Sequence, residues 1–380
     1  MINIINMKEW IDRETALALL GVKAQTLYAY VSRGRISMRP DADDSRRSLY
    51  LHEDIAALAK RRARDRRPAA IAEGSMAWGE PAIPTRLSCV HHGKLYYRGR
   101  DAIALARTAT LEETAAWLWD SAQTLSFPPS DGAGRDPFSA LARSIPTQAS
   151  LLGRGHDDLC RDAGAVVGVL ASAMGCDHST EPVHQRLATL WRLEDADAER
   201  VRQALVVMAD HDLNASTFAV RVAASTGASL AACVLAGLCT LSGPRHGGAS
   251  AALAGLLVEA GKVGALEAVK RWCDRGHGVP GFGHPLYPAG DPRAVRILEN
   301  LDADPLMAEV RTLVADMTGL RPNCDFALTA LVRARNLPAD APFVIFMTGR
   351  SIGWCAHAME QVLEGDLIRP RGRYIGVLPQ

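Results

Sequence analysis

The sequence predicts a mostly α-helical protein with a small separate domain at its amino end. After about residue 86, apolar segments rich in small residues alternate with Pro/Gly loops, and no internal repeat or alternating strand–helix pattern occurs. Before that point, a basic stretch precedes an Ala-, Pro- and Gly-rich segment, which is typical of a linker. We therefore divide the chain into residues 1–67, a linker over residues 68–85, and residues 86–380.

The composition excludes several classes of protein. The 380 residues are 48% hydrophobic and 22% charged, which is ordinary for a globular chain with room for two cores. No apolar run approaches the roughly 20 residues that a membrane span needs, and the start lacks the features of a signal peptide. The eight cysteines form no CxxC pair, which argues against a disulfide scaffold or zinc cage. We expect a cytoplasmic protein without a membrane partner or a metal.

The net charge of +1 conceals an asymmetry between the two parts. Residues 1–67 contain 14 Lys and Arg against 9 Asp and Glu, a net charge of +5, whereas the remaining residues carry −4. A basic amino-terminal part, residues 1–67 and called the head below, next to a mildly acidic remainder suggests that the head binds a polyanion. A solvated basic surface is the alternative, and charge alone does not exclude it.

The head has the layout of a winged helix-turn-helix. Residues 10–20 have apolar spacing for one helix face with Asp12 as a candidate N-cap, Gly21 breaks the pattern, and residues 24–33 predict a second helix that Gly34 ends. A polar stretch, a short strand and a basic helix follow. The head resembles the MerR and excisionase type, which implies contacts with double-stranded DNA. The residues implied are Lys23, Thr26, Tyr28 and Arg33 on or near the recognition helix, and Arg46 and Arg47 in the wing.

Candidate catalytic residues lie beside glycine or proline, where the backbone can approach a ligand. They are His246 in SGPRHGGAS, His284 in VPGFGHPLYPAGDPRA and Asp325 in RPNCDFALTALV, with His211 in DHDLNASTF as a fourth. Any one of them alone is more often a packed or capping residue. Two histidines and a carboxylate together make a better case, because proton transfer at carbon needs both an acid and a base.

Arginines form a second group of candidates. Arg293 follows the His284 loop, Arg350 comes early in an otherwise apolar helix, and Arg369 lies in IRPRGRYIG near the end. An unpaired buried charge is costly, so Arg350 is salt-bridged, lies at a helix end or binds an anion. Guanidinium groups bind carboxylates on two oxygens, which favours a substrate with more than one carboxylate.

These segments, in this order, resemble the signature stretches of citrate synthases, and the resemblance runs from about residue 86 to the end. It implies all-helical large and small subdomains and an enzyme that condenses an acyl-CoA with a 2-oxo acid, acetyl-CoA with oxaloacetate above all. It implies no permanently bound cofactor, a coenzyme A thioester as co-substrate, and a homodimer or higher oligomer.

The resemblance also implies a role for each candidate. Asp325 would remove the methyl proton, His246 would hydrogen-bond the enol oxygen, and His284 would protonate the carbonyl of the oxo acid. The oxo acid would be held by His211, Arg293, Arg350 and Arg369, with Arg369 from a second subunit. The backbone at Val279, Gly281 and Gly283 would face the coenzyme.

The sequence departs from the family pattern at the coenzyme side. Pro285 and Pro288 stand where many members carry basic residues near the coenzyme phosphates, and Ser250 stands where Asn is common. Two alternatives to a citrate synthase therefore stay open. One is a 2-methylcitrate synthase that uses propionyl-CoA. The other is a DNA-binding regulator in which the same fold senses a metabolite, and the head could also be a structural or protein-binding appendage.

Overall fold

The computed structural model describes residues 10–22, 24–32, 36–41, 44, 48–65, 82–130, 134–176, 179–275, 278–302, 304–371 and 374–376. The chain forms two compact units. The small unit comprises Met1–Ile83 and Arg369–Gln380, and the large unit comprises Pro84–Ile368. Within the described ranges, no helix is long and apolar enough to cross a membrane.

The small unit combines short helices with a three-stranded sheet. Its elements are β1 (Trp10–Ile11), α1 (Arg13–Leu20), α2 (Ala24–Ser32), β2 (Met38–Pro40), β3 (Ser48–Leu51) and α3 (His52–Asp65). The strands are antiparallel in the order β1-β3-β2, with Met38 opposite Tyr50. The helices bury apolar side chains against Tyr50, and that cluster is the core of the unit. The predicted wing residues between β2 and β3 lie outside the described residues.

The first helix is shorter than the apolar spacing predicts. Asp12 caps α1 as expected, because its Oδ1 accepts a hydrogen bond of 2.8 Å from the N–H of Thr15. Trp10 and Ile11 instead form β1 and pair with Leu51 and Tyr50, so the predicted helix over residues 10–20 was wrong at its start. Gly21 ends the helix at φ 60°, a left-handed conformation that glycine adopts without strain.

The large unit begins with the predicted hairpin. Strand β4 (Ser88–His91) pairs with β5 (Lys94–Tyr97), and β5 pairs with β6 (Arg100–Asp101). His92 and Gly93 form the two-residue turn at φ 48° and 72°, and this positive pair matches the right-handed twist of the strands. The hairpin prediction around His92-Gly93 is therefore confirmed.

Helices make up most of the rest of the large unit, which confirms the mostly α prediction. They are α4 (Ala102–Leu105), α5 (Leu111–Leu118), α6 (Pro137–Ser144), a 3-10 turn (Ile145–Thr147), α7 (His156–Ala173), α8 (Val183–Trp191), α9 (Asp195–Met208), α10 (Ala215–Ser225), α11 (Leu230–Leu241), α12 (Ala249–Val263), α13 (Ala265–Asp274), α14 (Pro292–Leu298), α15 (Pro305–Thr318), α16 (Cys324–Ala334) and α17 (Ala341–Glu364).

The large unit contains two apolar cores. The larger core gathers buried side chains from α5, α7 to α11 and α17, and the smaller core gathers them from α12, α13 and α15. Helix α16 serves both, since Leu328 packs in the larger core and Phe326 in the smaller. The candidate base Asp325 therefore lies on the helix that joins the two cores.

Helix α17 lies in the middle of the larger core. Its apolar residues surround the helix, which is the pattern of a buried helix, and residues from Ile345 to Met359 are almost all buried. Gly349 allows α9 to approach, because a Cβ there would lie 2.6 Å from the carbonyl oxygen of Leu205. This close packing fixes α17, and with it Arg350, against the end of α9.

Candidate functional site

His211 lies in a tight turn directly after α9. Its side chain is 5% exposed, and the next residue, Asp212, has φ 52°, which is uncommon for a residue other than glycine. The Nε2 atom of His211 lies 2.9 Å from the hydroxyl of Tyr287, and the ring meets that of His284 edge-on with centroids 4.9 Å apart. Burial and the nearby Arg293 and Arg350 hold the pKa of His211 well below its usual value, so the imidazole is neutral.

His246 lies in the loop that leads into α12. Gly248 is needed two residues later, because a Cβ there would lie 2.9 Å from the carbonyl oxygen of Ser242. The Nε2 atom of His246 lies 2.9 Å from the Ser216 hydroxyl and 3.3 Å from the Asn214 side-chain oxygen. Burial, helped by Arg350 and Arg293, lowers the pKa of His246 to about 4. The ring is therefore neutral and held by the first turn of α10.

His284 lies on a glycine-rich loop beside α16. Gly281 and Gly283 have φ 84° and 74°, and the loop is tied to the approach to α16, since the N–H of Gly283 donates to the carbonyl of Arg321 over 2.8 Å. The Nδ1 atom of His284 accepts from the N–H of Leu286 over 3.2 Å. Burial, reinforced by Arg293, lowers its pKa to about 4. The neutral ring consequently carries its proton on Nε2.

Asp325 lies in the first turn of α16, which Asn323 caps by accepting the N–H of Asp325 over 3.0 Å. The Oδ1 atom of Asp325 is buried and has no hydrogen-bond partner among the described residues. Burial raises the pKa of Asp325 to about 7; Arg293 opposes this shift and Asp291 adds to it. A carboxyl group with that pKa is balanced between acid and base at neutral pH.

The two candidate arginines of the large unit differ in their pairing. Arg293, 2% exposed, forms a bidentate ion pair with Asp291 through Nε at 3.0 Å and Nη2 at 2.7 Å. Arg350, 1% exposed, donates from Nε to the carbonyl of Met208 over 3.0 Å. Its Nη2 is buried without a partner among the described residues. Arg350 is thus a buried cation with an unused donor, whereas Arg293 is largely neutralised by its own neighbour.

Arg293 is a charged neighbour that four of the candidate residues share. Its charge lowers the pKa values of His211, His246, His284 and Asp325, although burial is the largest influence on each of them. The ring of His284 meets that of His211, and the side-chain N–H of Asn323, which caps the helix of Asp325, donates to the carbonyl of Gly283 beside His284. The ring of His246 and the guanidinium of Arg350 both contact the ring of Phe346. The structure thus brings three histidines, a carboxylate and two arginines into one site. The residues expected there and found together are His211, His246, His284, Arg293, Asp325 and Arg350.

Arg369, the remaining candidate for the oxo acid, lies at the boundary between the two units of the chain. It belongs to the small unit and its side chain is exposed. Among the predicted coenzyme-facing residues, Gly281 and Gly283 are in the His284 loop and the side chain of Val279 is 4% exposed in the smaller core.

The residues predicted to contact DNA are only partly described. Thr26 and Tyr28 lie on α2, and Tyr28 is 47% exposed with the guanidinium of Arg13 5.7 Å from the centre of its ring. Lys23, Arg33, Arg46 and Arg47 lie outside the described residues.

Sequence reasoning missed three residues that contact the site. Tyr287 contacts His211, Ser216 contacts His246, and Asp291 pairs with Arg293. All three lie in segments that we had singled out, and Asp291 is two residues from its partner before a helix-starting proline. The spacing of an N-cap with an arginine could therefore have predicted that pair. The contacts of Tyr287 and Ser216 join segments that are distant in sequence.

Two packed helical cores beside a cluster of neutral histidines, a buried carboxyl and buried arginines define the class, an α-helical protein with a site suited to proton transfer. The chain belongs to the citrate synthase family, because residues 164–371 match the family model described as the C-terminal domain of citrate synthase.

Curated relatives agree with this assignment. The chain is 38% identical to citrate synthase from Haloferax volcanii over 191 residues, covering 47% of this chain and 50% of the relative. It is 33% identical to 2-methylcitrate synthase from Shewanella oneidensis over 188 residues, covering 47% and 50%. The matched region spans about half the length of these curated relatives.

Two solved structures share the fold. Citrate synthase from Thermotoga maritima has a TM-score of 0.66 at 23% identity, covering 81% of this chain and 97% of that one. Citrate synthase from Thermoplasma acidophilum, solved as a ternary complex with carboxymethyl coenzyme A and oxaloacetate, has a TM-score of 0.62 at 22% identity, covering 78% and 94%. At these identities the likeness concerns the fold alone.

Proposed function

We propose that the large unit condenses an acyl-CoA with a 2-oxo acid, in its simplest form acetyl-CoA and oxaloacetate with water to give citrate and coenzyme A. One observation carries the proposal, namely that Oδ1 of Asp325 is buried without a hydrogen-bond partner in the described part of the chain, on a carboxyl group whose pKa is raised to about 7. A carbon base must be ionised yet poorly solvated to remove a weakly acidic proton, and this environment meets both needs. The family membership and the ligands named for the Thermoplasma protein support the same reaction.

In the proposed reaction, Asp325 takes the α-proton of the thioester while His246 gives its Nδ1 proton to the thioester oxygen, which becomes that of an enol. The enol carbon attacks the carbonyl carbon of the oxo acid and forms the new C–C bond, the enol proton returns to His246, and His284 donates the proton on Nε2 to the developing alkoxide. Asp325 then releases its proton to solvent, from which His284 regains one. Water then hydrolyses the thioester and releases coenzyme A. Preorganised neutral donors at both oxygens lower the barrier without moving during the step.

The oxo acid needs positive partners for its carboxylates. Nη2 of Arg350 is the strongest candidate, because it has no partner within the described ranges and a buried guanidinium nitrogen in that state gains most from binding an anion. His211 and Arg293 supply further polar contacts to the same substrate, although each has an intramolecular partner in the free protein. Binding therefore requires that the substrate compete with Tyr287 for His211.

The coenzyme is expected along the backbone of Val279, Gly281 and Gly283. The sequence offers no Lys or Arg between Gly278 and Pro292, so the phosphates gain no cation from this loop. We therefore expect the protein to bind the coenzyme less tightly than the family pattern implies.

A competition experiment distinguishes the two condensation reactions. Purified protein should be given equimolar acetyl-CoA and propionyl-CoA with oxaloacetate, and the products separated by mass spectrometry. A citrate excess supports the citrate synthase reaction, and a 2-methylcitrate excess supports the alternative reaction.

We further propose a homodimer in which Arg369 of one subunit completes the site of the other. The support is that Arg369 is exposed and outside the large unit, whereas the other candidates for the oxo acid are within it. Coexpressed subunits carrying Arg369→Ala and Asp325→Asn should regain part of the activity, since a heterodimer has one intact site. Absence of recovery in demonstrated heterodimers would argue against a shared site.

For the small unit we propose binding to double-stranded DNA. The net charge of +5 over residues 1–67 and the exposed Tyr28 on α2 support this, whereas Asp41, Asp43 and Asp44 beside the proposed wing oppose it by repelling phosphate. The full chain should shift genomic DNA fragments at low salt, and a chain starting near residue 76 should not. If neither shifts any fragment, the unit is a structural or protein-binding appendage and the regulator alternative loses its support.

A further inference from the structure

One face of α17 forms hydrogen bonds to the turn that carries His211. Residues 350, 353 and 357 are spaced three and four apart and so lie on the same side of the helix. Arg350 donates to the carbonyl of Met208, the N–H of Gly353 donates to the carbonyl of Ala209 over 3.0 Å, and Nε2 of His357 lies 3.2 Å from Oδ2 of Asp210. Three consecutive residues before His211 are thus held by the helix that also carries Arg350.

Asp210 is fixed from the other side by the β4 hairpin. The hydroxyl of Ser88 donates to Oδ2 of Asp210 over 2.5 Å and accepts the N–H of Asp212 over 3.0 Å, so one side chain bridges the residues on both sides of His211. The carboxylate is fully buried, and a Cβ at Gly353 would lie 2.6 Å from its Oδ1. Burial disfavours the charge of Asp210, but His357, Arg350 and Ser88 together hold its pKa below the usual value. The turn is therefore built around an ionised carboxylate.

The contacts of His357 determine which of its nitrogens carries the proton. His357 is fully buried, and its Nδ1 lies 3.0 Å from Nε of Arg221. Burial lowers the pKa of Arg221 to about 10, so its guanidinium stays protonated at neutral pH and can only donate. Nδ1 of His357 must accept, and Nε2 consequently holds the proton that is donated to Asp210.

Arg221 is in turn held by the last turns of α17. It forms an ion pair with Glu360 and lies 3.2 Å from Oε1 of Gln361. Glu360, Arg221, His357 and Asp210 therefore form a continuous buried chain of alternating acceptors and donors that ends at the turn of His211. Buried networks of this kind restrict the side chains that they connect, and within the described residues Oδ1 of Asp210 is the member atom on this turn that has no hydrogen-bond partner.

We propose that Asp210 and His357 are the positioning pair of the site, which holds the imidazole of His211 and the guanidinium of Arg350 at the geometry that binds the oxo acid. The nature of that ligand rests on the proposed function, whereas the positioning role does not. Neither residue need touch the substrate. They act by placing His211 and Arg350, the two residues that would contact the substrate. His211 follows Asp210 directly, and Arg350 is two helical turns from His357.

Two substitutions separate the two sides of His357. His357→Gln retains an amide N–H near the place of Nε2, so donation to Asp210 survives. His357→Asn retains an acceptor near the place of Nδ1, so the contact with Arg221 survives and donation to Asp210 is lost. His184→Gln is the matched control, because His184 is also buried but its charged neighbours are Arg202 and Glu199.

The first readout needs no ligand. In the protein labelled with ¹⁵N-histidine, NMR should show the wild-type ring of His357 protonated on Nε2 at neutral pH. The ring signals of His211, assigned with His211→Asn, should shift in His357→Asn and remain near their wild-type positions in His357→Gln and His184→Gln. A proton on Nδ1 of wild-type His357, or unchanged His211 signals in folded His357→Asn, would overturn the proposal.

The second readout uses oxaloacetate as the probe. Calorimetry should show affinity reduced about tenfold or more in His357→Asn, because a misplaced donor loses a charge-assisted hydrogen bond, with coenzyme A binding unchanged and His357→Gln close to wild type. If His357→Asn fails to fold, Ser88→Ala replaces it. That variant should shift the His211 signals and lower the affinity for oxaloacetate in the same way. An equal loss of affinity for oxaloacetate and for coenzyme A contradicts a positioning role. Wild-type protein that binds no oxaloacetate defeats the proposed function, and the NMR result then still decides the role of the pair.

Discussion

Asp291 holds Arg293 on two of its guanidinium nitrogens, at 3.0 Å and 2.7 Å, in the interior of the site. Both residues are 2% exposed, and the Oδ2 atom of Asp291 also accepts the N–H of Cys324, next to Asp325. The pair therefore joins the start of α14 to the start of α16. It also provides most of the neighbouring charge that acts on the carboxyl of Asp325.

Asp291→Asn should destabilise the protein and shift its pH profile. The substitution leaves Arg293 buried without a counter-charge, which typically costs about 3–5 kcal/mol. Because Asp291 raises the pKa of Asp325 and Arg293 lowers it, loss of the negative charge should move the titration of Asp325 to lower pH. Denaturant unfolding and pH–rate profiles of the variant measure both effects.

A matched control exists for that substitution. Asp304 also precedes a helix-starting proline and also pairs with an arginine, Arg333, but that arginine is 40% exposed. Asp304→Asn should therefore cost about 1 kcal/mol or less and leave the pH profile unchanged. Equal costs at both positions would show that burial of the Asp291–Arg293 pair has no energetic consequence.

The activity should rise with pH around neutrality. Asp325 acts only when ionised, and its pKa of about 7 predicts that kcat/KM for the acyl-CoA increases through that pH and then levels off. His246 and His284, with pKa values of about 4, stay neutral throughout that range. Initial rates between about pH 5 and pH 9 test this. A profile without an ascending limb near pH 7 would remove Asp325 as the titrating base.

Asp325→Asn should lose activity and gain stability in a pH-dependent way. Loss of a general base typically lowers turnover about 10²- to 10⁴-fold. The raised pKa means that the folded wild type binds the proton more tightly than the unfolded chain, so wild-type stability declines as pH rises from about 4 to about 7. The amide cannot ionise, so the variant should be the more stable protein at pH 8, by an amount on the order of 4 kcal/mol.

Urea titrations of both proteins at about pH 4.5 and pH 8 measure that difference. It should be small at the lower pH, where the buried carboxyl of the wild type is protonated, and large at the higher pH. If the difference in unfolding free energy between the variant and the wild type is the same at both pH values, the Asp325 carboxylate is well solvated.

Ser216→Ala should reduce turnover without affecting oxo-acid binding. The Ser216 hydroxyl accepts from Nε1 of Trp354 over 3.2 Å, and its own proton is shared between Asn214 and His246. For His246 to donate from Nδ1 to an enol oxygen, its Nε2 must accept that proton. Loss of the hydroxyl should cost turnover roughly tenfold, the effect of one hydrogen bond. Ser225→Ala, at the end of the same helix, is the control and should have no effect on turnover.

Much of the site could be predicted from sequence because its segments carry local signals. His246 and His284 lie beside glycines at positions that the backbone requires, since Gly283 has φ 74° and Gly248 allows no Cβ. The helix starting after Asn323 is likewise predictable from its cap. These features depend on neighbours within a few residues, which a sequence displays directly.

Contacts between distant segments could not be predicted. Trp10 follows a helical apolar pattern, yet it pairs with Leu51, some 40 residues later, because tertiary pairing outweighs local periodicity. His357 and Arg221 are separated by 136 residues, and nothing near either one indicates the other. Arg350 was expected to be salt-bridged, at a helix end or anion-binding, and the sequence alone does not indicate that its Nη2 is buried without a partner among the described residues.

The release of coenzyme A measures the central claim most directly. Purified wild-type protein with acetyl-CoA and oxaloacetate at about pH 8 should release free thiol continuously, and omission of oxaloacetate should abolish the release. Asp325→Asn should reduce the rate at least about 100-fold while it remains folded and binds oxaloacetate. Thiol release by wild type that does not exceed that of Asp325→Asn, with either acetyl-CoA or propionyl-CoA, would contradict the assignment of this site to acyl-CoA condensation.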